Sequence, residues 1–169
     1  RIGRLRMRPM TLSERGLTRP TVSLRALLTG QRPAIEGQCQ LRLADYTEEI
    51  TASGFPGLRG LSPRALKFQL DSYLRNAVDR DVPEQGLAVR KPEAMLAWLR
   101  AYAAATASTA SYSRILDAAT PGQADKPARS TSISYRDVLT QLWLLDPVSA
   151  WAPTGHPLTR LGQAPKHHL

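Results

Sequence analysis

The amino-acid sequence predicts a mostly α fold with short strands, an α+β chain in which a helical connector leads into a winged helix-turn-helix domain. Three observations predict it. Hydrophobic residues fill 42% of the 169 positions but aromatics only 6%, so the core leans on Leu and Ala, a composition that suits packed helices. Several stretches repeat apolar residues at three- and four-residue steps. The last of these is followed by two short strand-like segments, and three helices followed by a hairpin-like pair outline a winged helix.

The elements follow in chain order. Residues 4–12, RLRMRPMTL, alternate: Leu5 and Met7 face one way and Arg4, Arg6 and Arg8 the other, a strand pattern ended by Pro9. A short helix over TLSERGL is expected next, with Thr11 or Ser13 as its cap. Residues 18–40 hold Pro20, Gly30, Pro33 and Gly37 and read as a connector with one short helix at TVSLRALLTG. Residues 44–53, ADYTEEITAS, predict a short helix, broken by GFPGLRGLS. Ser62 then caps a longer helix and Pro63 sits in its first turn. Its apolar stripe is Leu66, Leu70, Tyr73, Leu74, Ala77 and Val78, and it is expected to end near Arg80, with Pro83 beyond.

The second half reads as three helices. Residues 91–106 open with Pro92 and Glu93 and line one side with Met95, Leu96, Leu99, Tyr102 and Ala103. Residues 111–119 turn Ile115 and Leu116 inward. After a Pro-Gly loop with Asp125, Lys126 and Arg129, Ser130 or Ser132 is expected to cap a helix with Tyr135, Val138, Leu139, Leu142 and Leu145 on its core face, stopped at Asp146-Pro147. VSAWAP and LGQAPKHHL are the expected last strands. Trp98, Trp143 and Trp151 are expected in the core or at domain contacts.

Bulk properties bound the function. Lys and Arg number 23 against 14 Asp and Glu, a formal charge of +9. Such a surface meets nucleic acid, nucleotide phosphates or an acidic partner, or simply reflects arginine-rich composition. Cys39 is the only cysteine, so no internal disulfide forms, which suits a cytoplasmic setting. No apolar run reaches the ~18 residues of a membrane span, and no signal peptide is visible. The chain begins with Arg1 rather than Met and ends on the strand-like APKHHL, so it is expected to be a piece of a longer protein.

Several stretches, in order, carry a resemblance. GRLRMRPMTLSERG is similar to the end of the nucleotide-binding core in a family of AAA-type P-loop ATPases of bacteria and archaea. YTEEITASGFPGL and YLRNAVDRDVPE resemble the segments after that core. YSRILDAA and TSISYRDVLTQLWLLDPVSAW resemble its winged helix, and APKHHL resembles the strand that opens a nuclease-fold-like C-terminal domain of unknown function. The resemblance implies four parts: residues 1–16 as the last strand of an ATPase core, 17–88 as a helical connector or lid, 89–152 as the winged helix, and 153–169 as the start of the C-terminal domain. It implies ATP and Mg²⁺ in the parent family and self-association through the ATPase core. This chain lacks the G-x-x-x-x-G-K-[ST] loop, so by itself it is expected neither to bind nor to hydrolyse ATP.

Candidate chemistry is sparse. Arg1 and Arg4 fall where the resembled core ends and are weak candidates for an arginine finger, against a plain exposed strand face. Asp79, Asp81 and Glu84 cluster at a helix C-terminus, where negative charge is unfavourable by ~0.3–1 kcal/mol, so an arginine partner is expected rather than a metal. His156, His167 and His168 lack metal spacing, and neighbouring strand histidines point to opposite faces. The strongest alternative function is a stand-alone winged-helix DNA-binding regulator. Arg136 and Gln141 would reach base edges and Arg114, Lys126 and Arg129 would hold phosphates, although Asp137 beside Arg136 repels the backbone.

Overall fold

The structure is a computed structural model describing residues 9–120, 127–150 and 164–169. The chain divides into two compact units, residues 1–70 and 71–169. Expectations placed on residues 1–8, on Trp151 and His156, and on the first three residues of LGQAPKHHL lie outside the described residues.

In the first unit local bonds set the structure. Thr11 and Glu14 cap each other across one turn. The Thr11 N–H donates to Glu14 Oε2 at 2.8 Å and the Glu14 N–H donates to Thr11 Oγ1 at 3.3 Å. The chain makes a turn there rather than the expected helix. Helix α1 (Leu24–Leu28) starts from Ser23, whose hydroxyl accepts from the Ala26 N–H. Helix α2 (Leu43–Thr51) is closed at its start by Asp45, whose carboxylate accepts from the Arg42 N–H at 2.6 Å. Gly54 is required by close approach: a Cβ there would sit 2.5 Å from Pro9 Cβ. Among residues 9–70 none is buried. The described residues of this unit form no core of their own.

Helix α3 (Pro63–Asn76) begins from Ser62 as expected, with the Ser62 hydroxyl accepting from the Ala65 N–H. It does not stop near Arg80. It widens into a π-helical turn over Ala77–Asp81 and runs on through α4 (Val82–Glu84). Within the turn the Val82 N–H reaches back to the Ala77 carbonyl, a step of five residues. Pro83 brings no N–H and its ring crowds the carbonyl four residues earlier. A locally wider helix accommodates both and lets the helix pass the proline.

The second unit is built on α5 (Pro92–Ala104), α6 (Tyr112–Ala119) and α7 (Arg129–Gln141). Its core joins Val78 and Val82 to Met95, Leu96, Trp98, Leu99 and Tyr102 of α5, Ile115 and Leu116 of α6, and Tyr135, Val138, Leu139 and Leu145 in and after α7. Ser111 caps α6 through its hydroxyl. Helix α7 starts at Arg129, with Ala128 at the cap position and no side-chain cap. The expected cap Ser132 is instead buried, and its Oγ accepts the Trp98 indole N–H at 2.9 Å.

The α+β expectation is wrong. The fold is helical, and among the described residues there is no strand and no sheet. In place of a strand pair stands one isolated antiparallel bridge, Val148 to Lys166. Residues 166–168 bond on one side to Asp146 and Val148 and on the other to Ala107 and Ser108, five backbone hydrogen bonds of 2.8–3.1 Å. Pairing stays that short for physical reasons. Pro147 and Pro165 each lack an N–H, and the 107–108 segment turns at once into the α6 cap.

Candidate functional site

Helices α6 and α7 enclose a cleft of about 90 Å³ lined by Tyr112, Ser113, Leu116, Arg129, Ser132, Ile133 and Arg136. A wider trough of about 360 Å³ is lined by Ser113, Leu116, Pro127 and Arg129. The 3.6-residue period explains which α7 side chains meet here: Arg129, Ile133 and Arg136 fall on one face, beside the core face. The Arg136 guanidinium lies over the Tyr112 ring, 5.2 Å from its centroid, and donates to Asp137 Oδ1 at 2.7 and 2.9 Å. Burial raises the Tyr112 phenol above its ordinary value, with the Arg136 charge pulling the other way. Arg129 is exposed and has no acidic partner among the described residues.

The sequence-predicted DNA contacts are therefore divided. Arg129 and Arg136 meet at the cleft. Arg114 is exposed on α6 and is not among the lining residues, and Gln141 falls on another face of α7 with Ser134 and Asp137. Lys126, Arg1 and Arg4 lie outside the described residues. Of the acidic group, Glu84 takes an arginine partner: Arg80 Nε donates to Glu84 Oε1 at 3.0 Å, one helical turn away. Among the described residues no group of three or more His, Cys, Asp and Glu is placed to hold a metal.

His167 is fully buried while His168 is half-buried. The His167 ring sits edge-on to Tyr102 and Tyr112, each with centroids 5.0 Å away. Its Nε2 lies 2.7 Å from the Ala110 carbonyl, which can only accept, so Nε2 carries the proton. In the neutral ring Nδ1 then accepts from the Tyr102 hydroxyl at 3.3 Å. This histidine fastens residues 166–168 to α5 and α6.

Two features escaped the sequence. Trp143, expected in the core or at a domain contact, is 58% exposed and sits at φ +63°. The Trp143 N–H donates to Thr140 and the Leu144 N–H to Leu139, the paired bonds of a helix end that usually takes glycine at this position. Nothing in the apolar pattern around it marks a left-handed residue. The second feature is α2. Its period puts Leu43, Tyr46, Thr47 and Ile50 on one face and Asp45, Glu48 and Glu49 on the other. The polar face is the anchored one. Glu49 accepts from Arg15 at 2.8 Å and from Arg59 at 2.7 and 2.8 Å, while Leu43 and Ile50 are 83% and 80% exposed. The two arginines, Arg15 first, hold the Glu49 carboxyl below its ordinary value. Amphipathicity was visible; which face turns outward was not.

The profile of a family described as a domain of unknown function (DUF8612) matches residues 43–169. No curated protein and no solved structure matches the chain. The match starts at Leu43, the first residue of α2, so the outward apolar face belongs to the matched domain.

Proposed function

The chain belongs to the DUF8612 family, and we propose that it is a non-catalytic, cytoplasmic coupling module of a larger AAA-type ATPase, transmitting nucleotide state between that core and a C-terminal domain. The observation that carries it is the first unit. Among residues 9–70 none is buried, and Leu24, Leu28, Ile35, Leu43, Ile50 and Phe68 are each at least 68% exposed. Burying one such side chain stabilises by ~1.5–3 kcal/mol. A segment that leaves so many in water is completed by another body. The resemblance of the ordered motifs from GRLRMRPMTLSERG onward supports an ATPase core as that body. ATP and Mg²⁺ are held there, since this chain brings no Walker loop.

Hydrogen exchange in the full-length parent tests the proposal. The α2 amides exchange fast in the 169-residue chain, become protected in the parent, and change protection between ATP and ADP. ATP hydrolysis by the purified chain, or α2 exchange indifferent to the parent core, contradicts it.

A second reading, duplex DNA binding through α7, is favoured by the +9 charge and by exposed Arg129. The Asp137 carboxylate on Arg136 weighs against it. Salt-dependent duplex binding weakened by Arg129→Ala and Arg136→Ala would favour this second role; no such binding would remove it.

A further inference from the structure

We propose that the α6–α7 cleft is a docking site for a protein segment that carries a carboxylate side chain next to aliphatic ones. This inference stands on the second unit alone and does not depend on the ATPase reading.

Size comes first. The cleft itself measures about 90 Å³, well under the ~300–1,000 Å³ of small-molecule pockets. It therefore takes a single side chain. The trough lined by Pro127, Ser113 and Leu116 gives the rest of an extended segment a place to lie.

Chemistry comes second. Every polar side chain lining the cleft, among the described residues, can donate: the Arg129 and Arg136 guanidinium groups, the hydroxyls of Ser113 and Ser132, and the Tyr112 phenol. Ser132 already accepts from Trp98, which leaves its own hydroxyl proton to donate. No acidic side chain is among these lining residues. Asp137 takes part of the Arg136 charge, so Arg129 is the principal cation for an incoming carboxylate. Guanidinium and carboxylate match in a two-pronged geometry.

The walls decide between an acidic peptide and a nucleic acid. Leu116 is a buried apolar wall and Ile133 is 43% exposed beside Arg129. An isoleucine between the two arginines gains nothing from a phosphate backbone. An aliphatic side chain flanking a carboxylate covers Ile133 while the carboxylate meets Arg129.

The experiment titrates three probes into the ¹⁵N-labelled 169-residue chain. They are a blocked heptapeptide centred on Leu-Glu-Leu, its Leu-Gln-Leu counterpart, and a short duplex DNA. The first is expected to shift the amides of residues 112–116 and 129–136 in a saturable way. The glutamine counterpart binds about tenfold more weakly or worse, as loss of a charged hydrogen bond implies. Arg129→Ala causes a similar loss and Arg114→Ala none. Ile133→Ser gives an independent loss should Arg129→Ala disturb the fold. No saturable shift with Leu-Glu-Leu, equal binding of the two peptides, or duplex DNA shifting the same amides in place of the peptide overturns the proposal.

Discussion

One serine hydroxyl serves the largest side chain of the core. Trp98 is wholly buried, and its indole N–H has Ser132 Oγ as its acceptor. Ser132→Ala leaves that donor unsatisfied, so it should lower stability by ~1–3 kcal/mol in urea denaturation, the cost of stranding a buried polar group. The sequence marks Ser132 as a helix cap because serine before an apolar run commonly is one. A buried tryptophan elsewhere in the chain competes for the same oxygen, and no local pattern reports that. Glu49 poses a second single-residue test. Its carboxyl is held below the ordinary Glu value of ~4.3 by Arg15 and Arg59. A depressed value means the clamp contributes fully above the ordinary carboxylate range and is lost as pH falls through the lowered folded value. In a pH titration followed by side-chain NMR, the Glu49 carboxyl should therefore titrate below the ordinary value of ~4.3, and the Arg15 and Arg59 guanidinium signals should shift with it. Glu49→Gln should leave the Arg15 and Arg59 signals without that pH response.

At the scale of elements, the short C-terminal segment holds the helices together. Residues 166–168 contribute five backbone hydrogen bonds and the buried His167 ring. Deleting residues 165–169 should destabilise the second unit by at least ~2.5 kcal/mol, at ~0.5–1.5 kcal/mol for each bond lost. It should also change a titration. The Tyr102 phenol is pushed up to about 12, by burial first and then by Tyr112 and Asp146. Without the segment its ionisation should fall toward 10, read by phenolate absorbance. One helix start was legible, Ser62-Pro63 at α3, whereas the expected cap of α7 at Ser130 or Ser132 is not where that helix begins. The α3 end was not, because Pro83 ordinarily stops a helix and here a π turn carries the helix past it. The strands failed because alternation in VSAWAP and APKHHL says nothing about how many N–H groups remain to pair. Of the site, Arg136 was legible as an arginine on α7, whereas Arg129 was expected in the loop before it and is instead its first residue. Their shared face with Ile133, and the Asp137 contact, needed the helix register.

For the whole molecule, the two units differ in how they are held. Residues 71–169 bury a continuous core from Val78 to Leu145, with His167 closing it. Residues 9–70 rest on capping bonds and the Glu49 clamp, with apolar residues in water. Composition pooled over all 169 positions gives 42% hydrophobic residues and hides this contrast. Local stability follows buried contacts, so the first unit should open at far lower cost than the second. Amide hydrogen exchange along the 169-residue chain, followed by mass spectrometry, tests this most directly. The account predicts near-intrinsic exchange across residues 9–62, α2 included, and slow, concerted exchange for α5, α6 and α7. Slow exchange in α2 matching that of α5 would contradict it, because residues 9–70 would then have a core and no need of a partner.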